Sequence, residues 1–383
     1  LHKAIRRQRQ MCIRDRFNGE WEKKRISEFC TLLKGTGISK DQLSTNGNPC
    51  ILYGELYTKY KAEIINEVLS CTELDANTLV KSKVNDVIIP CSGETAIDIA
   101  TARYVPFDDV LLGGDLNILR SNKVNGSFLA YQLNGKRKYD IARVAQGVSV
   151  VHLYGEHLKN IVISLPVIEE QQKISRLLHL LDERIATQNK IIEDLKKLKS
   201  AISLKMLHSD SWKQFKIKDI ASIGRGRVIS SVEISQQDNP LYPVYSSQTS
   251  NEGIMGYLDN FMFEGEYINW TTDGANAGTV FYRDGKFNCT NVCGLLKLGD
   301  EFDTYFVSLV LAEATKKYVS TNLANPKLMN NTMGSIQIRL PKLKEQKRIS
   351  IAFRKLRELL EVHNSLLTEY SRLKQYLLSQ MFI

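Results

Sequence analysis

The sequence predicts an α+β protein made of two mixed α/β domains, each followed by one long helix. Three observations predict it. Residues 161–207 and 336–382 are copies of one another at an offset of 175. Leu165-Pro166 falls on Leu340-Pro341, Glu170-Gln171 on Glu345-Gln346, Ile174-Ser175 on Ile349-Ser350, and Leu198-Lys199 on Leu373-Lys374. Both copies carry apolar residues at seven-residue intervals, with no Gly or Pro after the opening proline. The segment opening at Trp212 repeats the one opening at Trp21 at an offset of 191, through a basic residue, isoleucine, an acidic residue and a closing glycine. So long a period is no solenoid repeat; it divides the chain into halves.

A chain of 383 residues accommodates two or three domains, each with its own core. Its 43% hydrophobic and 25% charged residues describe an ordinary globular composition. No run of 18 apolar residues predicts a membrane span. The basic N-terminus lacks the apolar segment of a secretory signal. The seven scattered cysteines, of which only Cys289 and Cys293 lie close, read as free buried thiols of a reducing cytoplasm.

The net charge of +10 suggests a nucleic-acid partner until it is located. Residues 1–16 carry +5, residues 17–165 carry 0, residues 166–208 carry +2, residues 209–340 carry −2 and residues 341–383 carry +5. The two globular blocks are therefore neutral to slightly acidic. Any nucleic-acid contact they make must rest on local placement of Arg and Lys. The same division gives the expected domains: a basic extension (1–16) unlike the rest of the chain, read as unstructured or artefactual, a first domain (17–165), a first helix (166–208), a second domain (209–340) and a second helix (341–383).

In the first block, Lys24 to Leu33 reads as a short amphipathic segment ending in Lys34-Gly35-Thr36-Gly37. Strands are expected at Cys50–Tyr53, Asp86–Pro90, Val110–Leu112, Asn117–Arg120 and Ile161–Ile163, with helices at Phe128–Leu133 and Lys138–Gln146. In the second block, Val280–Arg283 and Lys286–Asn288 flank Asp284-Gly285, a hairpin signal. Tyr305 to Tyr318 reads as a helix and Ile336–Ile338 as the closing strand. After Gly226 the two blocks diverge in sequence.

Proline tolerates only the first turn of a helix, so Pro166 and Pro341 suit the two helix starts. Forty residues of helix span about 60 Å, too long for a small domain core, and read as a coiled-coil arm. One register places Ile174, Leu181, Gln188, Leu195 and Ile202 at a, with Leu177, Arg184, Ile191, Leu198 and Lys205 at d. The second helix gives Ile349, Leu356, His363, Tyr370 and Leu377 at a, with Ala352, Leu359, Leu366, Leu373 and Gln380 at d. The expected interface comprises Ile174, Leu177, Leu181, Ile191, Leu195, Leu198 and Ile202 with Ile349, Leu356, Leu359, Leu366, Tyr370, Leu373 and Leu377. Each rod needs a partner, and the nearest is its own copy.

Catalytic signatures are missing from the sequence. There is no GK[ST] phosphate loop, GxSxG elbow or HExxH pair. Asn239-Pro240-Leu241 and Asn325-Pro326-Lys327 lack the second proline of an amino-methyltransferase motif. The six histidines form no triad pattern. Two unlike, polar-looped domains on matched rods suit a device that holds two surfaces at a fixed separation.

Several stretches resemble the specificity subunit of type I restriction–modification enzymes. LPVIEEQQKIS with LLDERIATQ, and LPKLKEQKRIS with LKQYLLSQMF, are similar to that family's helical regions. YGELYTKY, SGETAIDIA, GGDLNILR and GVSVVHLYGEHLKNI resemble one class of target-recognition domain. GRGRVIS, YPVYSSQTSNEGIMGY, WTTDGANAGTVFYRDGKFNCTNVCG and NPKLMNNTMGSI resemble another. The likeness covers residues 17–383 and matches the order domain, helix, domain, helix.

The resemblance implies that the two helices pair as an antiparallel coiled coil with pseudo-twofold symmetry, and that each domain reads one half of a split, asymmetric DNA target. It implies that two modification subunits methylate adenines with S-adenosylmethionine and that two restriction subunits add ATP- and Mg-dependent translocation and cleavage. This chain would then catalyse nothing and hold no cofactor or metal of its own.

Base edges and phosphates are met by Arg, Lys, Asn, Gln, Ser and Thr. The candidates in the first domain are Lys34, Thr36, Tyr53, Tyr57, Ser92, Glu94, Thr95, Ser149 and His152. In the second they are Arg225, Arg227, Ser246, Gln248, Thr249, Thr272, Asp273, Asn276 and Lys327. The alternative is a coiled-coil scaffold that binds proteins and not DNA, for which the neutral blocks argue.

Overall fold

The computed structural model describes residues 21–320 and 325–382. The basic extension expected at 1–16 lies outside the described residues. Contacts divide the chain into two units, one joining Leu1–Lys190 with Asn364–Ile383 and the other formed by Ile191–His363. The divisions fall inside the rods and not at their ends, because each rod end packs into a domain.

In the first unit, Glu22–Arg25 pairs antiparallel with Val162–Leu165, Glu22 opposite Leu165, and ties the start of the domain to its end. The main sheet is four-stranded and antiparallel, in the order Thr31–Lys34, Leu116–Arg120, Asp86–Pro90, Arg103–Val105. A smaller sheet orders Leu43–Ser44, Ser70–Thr72, Asn48–Ile51 and Leu111–Leu112, the last pair parallel. The segment read as amphipathic from Lys24 is a strand, a 3-10 turn at Ile26–Glu28 and a second strand. Only Ile26 of that turn is buried.

The second unit repeats this plan. Lys213–Lys216 pairs with Gln337–Leu340, Lys213 opposite Leu340. These positions correspond to the first unit's closure at the offsets of 191 and 175. Its main sheet is again antiparallel, in the order Ala221–Arg225, Cys293–Leu298, Tyr267–Thr271, Val280–Arg283. Its second sheet orders Ile254–Leu258, Tyr242–Tyr245, Lys286–Cys289 and Phe263–Glu264 and also contains one parallel pair. Domains unlike in sequence thus share one framework. The hairpin expected across Asp284-Gly285 does not form. Gly285 supplies a turn at φ 88°, but Val280–Arg283 pairs back onto Tyr267–Thr271 while Lys286–Cys289 enters the other sheet. The turn chemistry is readable in sequence; which sheet each arm joins depends on distant strands.

The rods are Ile168–Met206 and Leu343–Gln380. In the first unit, Ile174, Leu178 and Leu181 share a core with Leu377, Met381 and Phe382 and with Phe128 and Tyr131 of the domain. In the second unit, Ile202, Met206 and Leu207 share a core with Ile349 and Phe353 and with Trp270 and Phe306. The start of one rod meets the end of the other in each case, so the pair is antiparallel.

Of the a positions, Ile174, Leu181, Gln188, Ile349, Leu356 and Leu377 are buried and the others half-buried, and the second buried row lies one residue further on than expected. Leu178 and Ile192 are buried in the first rod, and Phe353 and Met381 in the second. Five expected interface leucines are exposed instead: Leu177 (43%), Leu198 (49%), Leu359 (48%), Leu366 (37%) and Leu373 (44%).

The repeated glutamines and serines dock the rods. Gln171 Nε2 donates to the Pro166 carbonyl at 2.8 Å, and its Oε1 accepts the Asn125 N–H at 2.9 Å. Gln346 Nε2 donates to the Pro341 carbonyl at 2.8 Å, and its Oε1 accepts the Asp303 N–H at 3.0 Å. Asn125 and Asp303 are themselves the N-caps of domain helices Gly126–Asn134 and Thr304–Ala314. Ser175 donates to Asn125 Oδ1 at 3.1 Å and Ser350 to Asp303 Oδ1 at 2.5 Å. Glutamine and serine four residues apart face one way on a helix, so both reach the same cap.

Candidate nucleic-acid interface

In the first unit five candidates gather around one open cleft. Tyr53, Tyr57, Ser92, Glu94 and Ser149 line it. Short elements position them. Strand Val151–His152 pairs with Ser92–Gly93 and sets the height of the turn at 146–150. The tip of that turn projects fully, with Val148 97% exposed beside Ser149. Tyr57 donates its hydroxyl to the Ser92 carbonyl at 2.8 Å, and burial pushes its phenol pKa up, so it remains neutral.

Thr95 caps helix Ala96–Ile99, accepting the Asp98 N–H at 3.1 Å and donating to the Asp98 carboxylate at 2.6 Å. Lys34 and Thr36 lie outside the cleft. Lys34 is exposed at a strand end, whereas Thr36 Oγ1 accepts the Val80 N–H at 2.9 Å and serves the fold. The close approach of Gly35 to Gly113, whose carbonyl would lie 1.9 Å from an added Cβ, explains that Gly-Thr-Gly segment.

Sequence reading found no Ser–His pairing, yet Ser92 Oγ lies 3.2 Å from His152 Nδ1 and 3.3 Å from Asp115 Oδ2. A hydrolytic triad would orient the imidazole with the carboxylate. Here the carboxylate meets the hydroxyl, and the group braces the cleft wall.

In the second unit the candidates occupy two loop clusters. Arg225 is exposed at a strand end, with a 3.3 Å bond to Asn330, which sequence reading missed. Asp273 and Lys327 form a bridge between loops, Nζ to Oδ1 at 3.6 Å, and Asn276 is exposed in the same turn as Asp273. Thr272 is fully buried, donating within 2.7 Å of Asp273 and 3.0 Å of the Val292 carbonyl, so it shapes this loop and presents nothing to a ligand. Arg227 is held by Glu233, whose hydrogen bond raises its pKa further.

The second cluster is the loop at 246–253. Ser246 and Gln248 are half-buried, and Thr249 is exposed. The Gln248 amide is spent on the Ile254 carbonyl. No group of three or more His, Cys, Asp or Glu among the described residues is placed to hold a metal ion. The described cysteines are free, and burial pushes Cys30 up to about 12 and Cys50 and Cys91 up to about 11. No helix among the described residues is long and apolar enough to cross a membrane.

Two domains alike in framework and unlike in loops, on a repeated helix pair, define a two-headed recognition scaffold. The profile of the type I restriction modification DNA specificity domain matches residues 18–197 and 209–370. The chain belongs to that family, and its role is that of a DNA specificity subunit in a type I restriction–modification system.

Two Mycoplasma pneumoniae relatives, provisionally named type I specificity subunits, are S.MpnORF289P N-terminus and S.MpnORF201P. The first is 46% identical over 36% of this chain and 74% of its own length, and the second 35% over 52% and 85%. The type I restriction enzyme MpnII specificity subunit of the same organism is 42% identical over 37% of this chain and 44% of its own. The crystal structure of the type I S subunit from M. genitalium superposes with a TM-score of 0.71 at 17% identity, covering 96% of this chain and 97% of that one. A structure describing complex assembly and conformational transition of the type I system gives 0.55 at 15%, covering 94% and 97%. These structures share the fold.

Proposed function

We propose that each domain reads one half of a split, asymmetric DNA target and that the antiparallel rods set the separation of the halves. The observation that carries this reading is the pairing of a repeated framework with unrepeated loops. Both domains are closed by the same strand pair and docked by the same Gln–Ser contacts, while the exposed polar loops differ. Like frameworks meet like features of a duplex, and unlike loops read unlike sequences.

In this reading the chain is not itself an enzyme. Two modification subunits supply adenine methylation with S-adenosylmethionine, each flipping a base out of the stack beside one domain. Two restriction subunits supply the ATP- and Mg-dependent steps, and the complex works in the cytoplasm. The leucines left on the rod surfaces, Leu177 and Leu373 in one unit and Leu198 and Leu359 in the other, offer apolar faces for those subunits.

The test is to express the chain with its modification subunit and map methylated adenines genome-wide. A bipartite motif with unlike halves is the expected result. Random methylation, or none with a modification subunit of verified activity, would overturn the reading. A gel shift with salt titration adds an independent measure, since each neutralised phosphate contributes about 0.9 to the slope of log affinity against log salt.

A further inference from the structure

We propose that Arg283 is a positioning residue that presets the loop at 246–253 for reading the second half-site, with Arg357 as its outer support. The proposal rests on the reading that this loop meets DNA. The loop closes through a left-handed turn, with φ of 49° at Asn251, 52° at Glu252 and 86° at Gly253. Side chains with a Cβ disfavour that region, so consecutive left-handed residues persist only where neighbours hold them.

Arg283 is the inner neighbour. Its side chain is buried, 4% exposed, and its guanidinium lies 3.6 Å from the Tyr245 ring centre and 4.4 Å from that of Phe281. Nε donates to Asn269 Oδ1 at 2.7 Å, and a terminal nitrogen donates to the Glu252 carbonyl at 2.6 Å. A Cβ at Gly253 would lie 3.3 Å from that same nitrogen, so the guanidinium sits directly beneath the turn. Ser246 N–H to the Gly253 carbonyl at 2.9 Å closes the neck. The shape that fixes Ser246, Gln248 and Thr249 is therefore built on one arginine. Burial lowers its pKa, but guanidinium remains charged at any working pH.

Arg357 is the outer neighbour, with a 3.0 Å contact to Glu252 Oε1. At the repeat offset of 175, Arg357 corresponds to Asp182 and Lys199 to Lys374. Asp182 and Lys374 form a buried ion pair in the first unit. Arg357 and Lys199 have like charge and cannot repeat it. The arginine pairs instead with Glu361 of its own rod at 2.7 Å and with Glu252 of the domain, and the second contact ties the rod to the loop. That pair is solvent-exposed and its contribution is smaller than that of Arg283.

The chemistry distinguishes the two. Arg283 makes bonds in two directions and stacks on two rings in a buried site, which lysine cannot reproduce, whereas Arg357 meets two exposed carboxylates, Glu252 and Glu361, and a lysine keeps the charge that attracts Glu252. The experiment compares Arg283→Lys, Arg357→Ala and Arg357→Lys in the full chain. It reads hydrogen exchange over 246–254 in the free protein, and methylation motif and salt-dependent DNA affinity in complex with the modification subunit.

Arg283→Lys is expected to speed exchange of the loop and to lower occupancy of the cognate target about tenfold or more, the scale of one lost base contact. Degeneracy should appear in one half-site only, with an unchanged salt slope. Arg357→Ala should act in the same direction more weakly, and Arg357→Lys should restore wild-type values. Unchanged loop exchange in both Arg283→Lys and Arg357→Ala would overturn the proposal, as would a shallower salt slope, which would make Arg283 a phosphate contact. If Arg283→Lys does not fold, the exposed Arg357→Ala decides by the same exchange readout. Failure of the wild-type complex to bind DNA sinks the DNA reading instead, and loop exchange still judges the support.

Discussion

Lys374 Nζ of the second rod lies 2.5 Å from Asp182 Oδ1 of the first, with side chains only 14% and 8% exposed. Lys374 also pairs with Glu63 of the domain, and the Tyr131 hydroxyl donates to Asp182 at 2.7 Å. One ammonium thus serves two buried carboxylates from two elements. Removing one member of a buried ionic group leaves the rest uncompensated, at about 3–5 kcal/mol. Lys374→Met should lower unfolding stability by that amount, measured by urea denaturation of the full chain. Adding Glu63→Gln and Asp182→Asn should recover most of the loss. Equal instability of the single and triple variants would refute the charge argument.

Glu63 should give a pH signature opposite to that of most carboxylates. Burial, then repulsion by Asp182, raises its pKa above the usual 4.5 despite the attraction of Lys374. The folded state therefore holds this proton to higher pH than the unfolded chain does. Its stabilising contribution is complete below about 4.5 and declines as pH rises through the elevated folded value. Stability curves for wild type and Glu63→Gln should diverge as pH rises from about 4.5, wild type losing ground. Parallel curves would show that Glu63 titrates normally.

Lys374 also shows where the sequence stops being legible. Its neighbour Leu373 is the natural choice for the seam, yet Leu373 is exposed and Lys374 is inside, because Asp182 and Glu63 are there to receive it. The same ambiguity runs along both rods. Leu177 precedes Leu178, Ile191 precedes Ile192, and Leu366 precedes Leu367, so at these points spacings of three and four from the a position are equally apolar. The seven-residue period is readable, but only the packed partner selects the second seam. Leu178→Ala, at 0% exposure, should cost about 2–5 kcal/mol. Leu177→Ala should stay within about 0.5 kcal/mol. Thermal denaturation of the two variants decides, and equal losses would favour the register with Leu177 in the seam.

The Gln–Ser contacts predict equal behaviour at equivalent positions. Gln171 and Gln346 each satisfy a proline carbonyl and the N–H of a helix cap, in sites 3% and 1% exposed. Unmet buried partners cost about 1–3 kcal/mol. Gln171→Leu and Gln346→Leu should each destabilise by that amount, measured by denaturant midpoint. A loss at one position only would mean that the repeat in sequence is not a repeat in energetics.

The candidate DNA-contact residues are less legible than the frame, because sequence reports polar loop residues and not which of their polar atoms the loop itself consumes. Thr272, Gln248, Thr36 and Thr95 spend theirs internally, and Arg227 is tied to Glu233. Arg225 is different. It is exposed at a strand end, and its bond to Asn330 is a long one, 3.3 Å, from one terminal nitrogen. It retains donors for a base edge, and a bidentate arginine contact to guanine discriminates by about 1–3 kcal/mol. Arg225→Ala should therefore relax one position of one half-site and leave the other half unchanged, as read by methylation mapping with the modification subunit. Arg227→Ala, through its link to Glu233, should show in loop stability before it shows in sequence preference. An equal affinity loss at all target sequences on Arg225→Ala, with a salt slope lower by about 0.9, would instead assign this arginine to a phosphate.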